Sequence, residues 1–169
     1  MTDTMNAAAL ATASALLFRE ARLLDSGGWE AWANLYRPDS IFWVPAWLDE
    51  YQTTSRPKEQ VSLIYHDTRA ALKERIARIE SRKSITALPL PRTCHIIANV
   101  EVTAVESGSI TCCSTYAVHV FDPRSAKEHT RYGSYVHDLV EGGGEWMIAR
   151  KVITLVNDKV PTALDFYSI

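Results

Sequence analysis

The chain of 169 residues is poor in the residues and motifs that mark most stand-alone enzymes. Three cysteines occur, Cys94, Cys112 and Cys113. So odd and sparse a set suits free thiols in a reducing cytoplasm and argues against a disulfide framework. The chain has no Cys-x-x-Cys pair, no glycine-rich phosphate loop and no Gly-x-Ser-x-Gly elbow. A Rieske centre needs Cys-x-His and later Cys-x-x-His, and neither occurs. The five histidines, His66, His95, His119, His129 and His137, include no pair at helical spacing. A metal site would have to be assembled from distant strands, and none is expected in this chain. A net charge of -2, with no long charge run, argues against a nucleic-acid surface. The apolar, alanine-rich run over 5–18 is too short to span a bilayer. Asp3 precedes it, and Arg19 and Arg22 follow it, so a basic leader region is lacking. It reads as an ordinary amphipathic helix, and the chain is expected to be cytoplasmic.

What is present fits one domain with one core over 1–169, helical over about 6–82 and a sheet meander over about 92–157. Leu10, Ala13, Leu17, Ala21 and Leu24 recur at helical spacing over 6–25, and Gly27-Gly28 supplies a stop. Trp29, Trp32 and Leu35 mark a short second helix. Pro38-Asp39-Ser40 reads as a turn before a buried strand over 41–47, where Pro45 implies an edge or a bend. Residues 49–60 read as a loop and 61–65 as an extended entry. Asp67 is placed as the N-cap of a helix over about 68–82 with Leu72, Ile76 and Ile79 as its apolar stripe. Residues 84–91 form an extended linker.

The second half alternates at the strand period. In 92–105, Ile96, Ala98, Val100 and Val102 fall on one face, with His95, Asn99 and Glu101 on the other. In 109–121, Ile110, Cys112, Tyr116, Val118 and Val120 share a face, and Cys112 and Cys113 point their thiols apart. Further strands are read over 129–140 and 146–156, with Gly142-Gly143-Gly144 turning the chain between them. Short turns favour an antiparallel meander, and strands this long must twist and curl. The fold class is an α+β roll, with helices packed on the concave side of a strongly curved, mostly antiparallel sheet.

Two sets of residues are candidates for function. Arg92, His95 and Asn99 crowd behind Pro91 as a row for chemistry or for a partner: Arg92 and His95 read either as core-edge residues satisfying neighbouring carbonyls or as a subunit contact, since arginine is favoured where planar acceptors must be gripped. His119 and His137 could form an acid–base pair in the cone with Asp25 or Tyr36 as orienter, which would make the chain a dehydratase or isomerase. The plainer reading is two half-exposed sheet histidines. A third possibility is a binding module for a small apolar ligand. Trp29, Trp32, Trp43, Trp47 and Tyr51 are expected to be mostly core, with part left for an interface.

Several blocks, taken together, resemble one family. Glu20-Ala21-Arg22-Leu23-Leu24-Asp25, Trp29-Glu30-Ala31-Trp32 and Phe42-Trp43-Val44-Pro45-Ala46-Trp47 resemble the opening of the small (beta) subunits of aromatic-ring-hydroxylating dioxygenases. Ser62-Leu63-Ile64-Tyr65 with Arg69 to Leu72, Arg75 and Arg78-Ile79 is similar to that family's central segment. Pro91-Arg92-Thr93-Cys94-His95 with Asn99-Val100 resembles its Arg-Thr-x-His…Ser-Asn signature, although Ala98 stands where serine is usual. Ala149-Arg150-Lys151-Val152 and Asn157-Asp158…Asp165-Phe166-Tyr167-Ser168-Ile169 resemble its last strand and tail. The branch is similar to benzoate/toluate 1,2-dioxygenase. The resemblance implies a cone-shaped fold like nuclear transport factor two and scytalone dehydratase. It also implies a hexamer of three large (alpha) and three small subunits, the small ones forming a homotrimer. The Rieske 2Fe-2S cluster and mononuclear Fe(II) would lie in the large subunit, with electrons from NADH through a reductase. This chain would be chiefly structural, with no catalytic, cofactor or metal residue of its own. Its subunit-contact candidates are Tyr65, Asp67, Arg69, Arg92, His95 and Asn99.

Overall fold

The computed structural model describes residues 2–81, 89–159 and 164–169; side chains are described from residue 6. Helix α1 (Thr2–Asp25) is followed by α2 (Trp29–Ala33), β1 (Tyr36–Pro45), β2 (Ser62–His66) and α3 (Arg69–Glu80). Four long strands follow: β3 (Arg92–Glu106), β4 (Ser109–Asp122), β5 (Lys127–Gly142) and β6 (Glu145–Leu155). A 3₁₀ turn, Phe166–Ser168, completes the described chain. The strands form one sheet in the order β2-β1-β6-β5-β4-β3. All neighbours are antiparallel except β1 and β6, which run parallel. The four-strand meander was expected. The parallel return of β1 beside β6 makes the sheet mixed and places β2 and β3 at its two edges.

The helices close over the concave face because their apolar stripes and the inward strand positions form one cluster. α1 buries Ala9, Ala13, Leu16, Leu17, Ala21 and Leu24. Leu10, expected in that stripe, is 40% exposed. α1 ends as expected: Gly28 N–H donates to Leu23 O (2.9 Å) and Gly27 N–H to Leu24 O (3.2 Å), with Gly27 at φ 71°. This is the Schellman arrangement that needs a residue tolerant of positive φ. α3 buries Leu72 and Ile76, with Ile79 packed on the core. Its N-cap is Thr68, whose hydroxyl accepts from Ala71 N–H, and not the expected Asp67. Both residue types are good caps, and the helix begins one residue later than the spacing suggested. The expected linker over 84–91 lies largely outside the described residues.

Two other expectations fail at bulges. β1 begins at Tyr36, not Ile41, and the residues read as a turn run inside it. Tyr36 pairs with Ile148 and Ile41 with Arg150, so Pro38-Asp39-Ser40 are absorbed as extra residues where the ladder is interrupted. Pro45 ends an interior strand at a second register shift, so it marks a bend and not an edge. In β3 the expected faces hold for only part of the strand. Asn99 sits at φ 52° and the register slips between Ala98 and Glu101. Before the bulge His95 and Ile97 point inward while Ile96 is 48% exposed; beyond it Val100 and Val102 point inward. A single extra residue reverses the side-chain phase.

Candidate functional site

The sequence candidates divide between three places. Tyr65, Asp67 and Arg69 sit at the junction of β2 and α3, by one edge of the sheet. Tyr65 pairs with Trp43, and Arg69 Nη1 donates to Tyr36 O at 3.1 Å. Arg92, His95 and Asn99 lie on β3, the opposite edge. The third place is the cone interior.

On β3 the three residues have different surroundings. The His95 side chain is 1% exposed and turned toward the end of α1. Its Nδ1 lies 2.5 Å from Asp25 Oδ1, its backbone N–H donates to Asp25 Oδ2 (2.9 Å), and Thr93 Oγ1 donates to Asp25 Oδ1 (2.9 Å). Burial raises the Asp25 carboxyl, but the hydrogen bonds from His95 and Thr93 outweigh it and hold the group below its usual range. Asn99 makes the bulge, and its Nδ2 donates to Thr115 Oγ1 (3.0 Å). Arg92 is exposed on the outer face, its guanidinium 5.9 Å from the Phe121 ring centroid.

The proposed acid–base set is only partly brought together. His119 is exposed on the outer face, its Nδ1 3.0 Å from Thr130 Oγ1. His137 is fully buried on the inner face. Odd and even positions of the two strands separate them, since Cys112 and not His119 pairs with His137. Asp25 belongs to His95. Of the expected partners only Tyr36 reaches His137's neighbourhood, and it does so through a residue not singled out before, Glu20.

Glu20 is 2% exposed on the apolar face of α1. Its Oε1 accepts from Trp32 Nε1 (3.2 Å), Tyr36 OH (2.5 Å) and Lys151 Nζ (3.0 Å). Its Oε2 lies 3.3 Å from His137 Nε2. Lys151 is 1% exposed, with Nζ 4.1 Å from the Tyr135 ring centroid. Burial alone would raise the Glu20 carboxyl, but Lys151, His137 and Tyr36 together hold it far below the usual range. Burial lowers Lys151 against the pull of Glu20, and lowers His137 so that its imidazole is neutral at pH 7. Burial and the Glu20 charge push the Tyr36 hydroxyl well up. The neutral His137 therefore donates Nε2–H to Glu20, and its buried Nδ1 has no partner among the described residues. Two signals for this cluster were in the sequence. Glu20 falls between Leu17 and Leu24 in the helical stripe, and Lys151 alternates in phase with Ile153 and Leu155.

The Glu20 carboxylate is saturated. Glu20 faces four donors, and the Phe166 ring stacks on Trp32 at 4.7 Å and 12°. Among the described residues open clefts lie elsewhere, including three: one by Arg92 and His119, one by Leu10 and Val100, and one by Phe18 and His95. None of the three is lined by Glu20, Tyr36, His137 or Lys151. The interior is arranged to hold α1, α2, β1, β5 and β6 together through one ion pair and its hydrogen bonds. Among the described residues no group of three or more His, Cys, Asp or Glu side chains is placed to hold a metal ion.

Comparison with known proteins decides the family. A model described as "Ring hydroxylating beta subunit" matches residues 19–162. The chain belongs to this family of ring-hydroxylating beta subunits. Toluate 1,2-dioxygenase subunit beta of Pseudomonas putida is 35% identical over 153 residues, covering 90% of this chain and 93% of the relative. The beta subunit of benzoate 1,2-dioxygenase from Burkholderia mallei superposes with a TM-score of 0.78 at 31% identity, covering 94% and 96% of the two chains. A protein named as a scytalone dehydratase, from Novosphingobium aromaticivorans, shares the fold at a TM-score of 0.70 and 18% identity, covering 98% and 96%. The cone-shaped α+β roll expected from the sequence is thus the family's fold. The resemblance noted in the sequence rested in part on the spacing of Arg92, Thr93 and His95. The structure gives that spacing two uses: Thr93 and His95 hold Asp25, while Arg92 faces outward.

Proposed function

We propose that this chain is the small, chiefly structural subunit of a dioxygenase that adds O2 to an aromatic acid of the benzoate type, giving a cis-dihydrodiol. As a ring-hydroxylating beta subunit it is a component of an oxidoreductase. The observation that carries the reading is the 35% identity to a toluate dioxygenase beta subunit over nine-tenths of the chain. The 31% identity to a benzoate dioxygenase beta subunit supports an aromatic acid without selecting one. The large (alpha) subunit is the partner in this reading. It would hold the Rieske cluster and the mononuclear Fe(II), with NADH supplying electrons through a reductase, and three large and three small subunits would assemble in the cytoplasm. Tyr65, Asp67 and Arg69 at one sheet edge, and Arg92 and Asn99 at the other, are the contact candidates. His95, with its side chain buried against Asp25, would act on assembly by fixing α1 on β3.

Co-expression with the cognate large subunit tests the proposal. The expected result is a red, iron-containing complex retaining both chains on size exclusion, active on benzoate or toluate. A stable chain that never associates with that large subunit overturns it.

A further inference from the structure

Where β3 begins, the outer face of the sheet carries an open cleft of about 410 Å³ crossing β3, β4 and β5. Arg92, Phe121 and Glu128 form one cross-strand row at its side, and Cys94, His119 and Thr130 form the next. The Arg92 guanidinium rests over the Phe121 ring, and among the described residues no carboxylate pairs with it. Thr130 Oγ1 engages Nδ1 of His119, which leaves Nε2 for other partners. Against Arg92 and His119 the cleft sets one carboxylate, Glu128. One row further along, Ile96 and Tyr132 are 48% and 46% exposed on the same face.

A guanidinium beside an aromatic ring, with an imidazole and exposed apolar side chains close by, is composed like the anchor of a protein interface. Its charge calls for a planar acid, which Arg can grip with two parallel N–H bonds. A free small carboxylate in so open a cleft would stay hydrated and gain little. The same pair covered by a partner surface loses its water and gains accordingly. We infer that this cleft seats a carboxylate side chain presented by the large subunit, with Arg92 as its anchor. The inference rests on the dioxygenase-subunit reading and assigns that partner a place on this chain.

The test measures binding of the full-length chain to the large subunit at low and high salt, with folding of each variant checked by circular dichroism. Arg92→Glu is expected to weaken binding by at least ~30-fold, and Arg92→Lys by less. The salt dependence of the wild type should flatten in Arg92→Glu. His119→Gln, which keeps the strand's shape and bulk, should weaken binding by a smaller factor and serves if Arg92→Glu does not fold. Glu128→Gln should leave binding equal or tighter. Arg92→Glu and His119→Gln binding as tightly as the wild type overturns the inference and leaves the subunit reading intact. Loss of self-association with unchanged affinity for the large subunit also overturns it and assigns the cleft to a second copy. A wild-type chain that does not bind the large subunit overturns both.

Discussion

His95 Nδ1 lies 2.5 Å from Asp25 Oδ1, across 70 residues of sequence, and joins the edge strand β3 to the last residue of α1. The same carboxylate also accepts from Thr93 Oγ1 and the His95 backbone N–H, so one aspartate fixes two consecutive inward positions of the strand. His95→Ala leaves the backbone bond in place but removes the imidazole. We expect a loss of about 1–3 kcal/mol in urea unfolding and weaker assembly, with the iron chemistry of any assembled enzyme nearly intact. Full assembly with abolished turnover would place His95 among the catalytic candidates.

The pH dependence of the same contact has a definite sign. The Asp25 carboxyl is held below its ordinary 3.8 in the folded chain. Its contribution is therefore complete above the unfolded value and is lost as pH falls through the depressed folded value. Urea midpoints measured from pH 6 downward should fall below about pH 4, and Asp25→Asn should flatten part of that fall. An identical acid limb in Asp25→Asn would show that the carboxylate is not a source of this stability.

Glu20 and Lys151 form a buried ion pair at 3.0 Å, each at most 2% exposed. Glu20→Gln would leave the Lys151 ammonium buried without its counter-charge, at a cost of about 3–5 kcal/mol. Replacing both, as Glu20→Gln with Lys151→Met, should recover most of the loss because no buried charge remains. Urea unfolding of the single and double variants checks this. A double variant no more stable than Glu20→Gln would mean that the hydrogen bonds to Trp32, Tyr36 and His137, and not the charge balance, dominate.

The elements easiest to read in the sequence were those whose pattern is local and unbroken. The β4 alternation from Ile110 to Val120 and the Gly27-Gly28 stop were found where expected because each depends on neighbours in sequence. The inner face of β3 was misassigned in part because Asn99 inserts one residue, and a period-two reading has no means of locating a bulge. The interior cluster was harder still. Glu20, His137 and Lys151 were each visible, but their meeting depends on α1 packing over strands more than 100 residues away. His119 and His137 share a sheet yet face opposite sides, which only the register decides.

Gly133 lies where β5 leaves no room for a side chain against β6. A Cβ built there would lie 1.8 Å from Thr154 O and 3.0 Å from Thr154 C, both backbone atoms that cannot swing aside. Gly133→Ala must therefore push the strands apart, and we expect at least about 2 kcal/mol of destabilisation. For a chain of this size that is a fall of about 4–8 °C in Tm. Gly142→Ala is the control, because no atom lies within 4 Å of its added Cβ. Equal melting of the two variants would refute the steric account.

The segment 164–169 tests whether several contacts hold one short stretch as a unit. Arg75 grips Asp165 through Nη2 (2.6 Å) and Nε (3.1 Å), and Asp165 caps the Phe166 N–H. Phe166 stacks on Trp32 and meets Trp29 edge-on at 5.9 Å, and Arg131 hydrogen-bonds Ser168. Phe166→Ala should cost about 3–5 kcal/mol, because it removes a buried ring from a four-ring stack that includes Tyr167. Asp165→Ala should cost about 0.5–2 kcal/mol from its capping role alone. The two residues hold one short segment, so once either is lost part of the other's contribution goes with it. The double variant should then fall short of the sum by at least about 0.5 kcal/mol. Trp32 lies in the stack and supplies the readout, since its fluorescence should change at the same denaturant concentration as the loss of tail contacts. Strict additivity would mean that the ion pair and the ring are independent attachments, and that the segment is not held cooperatively.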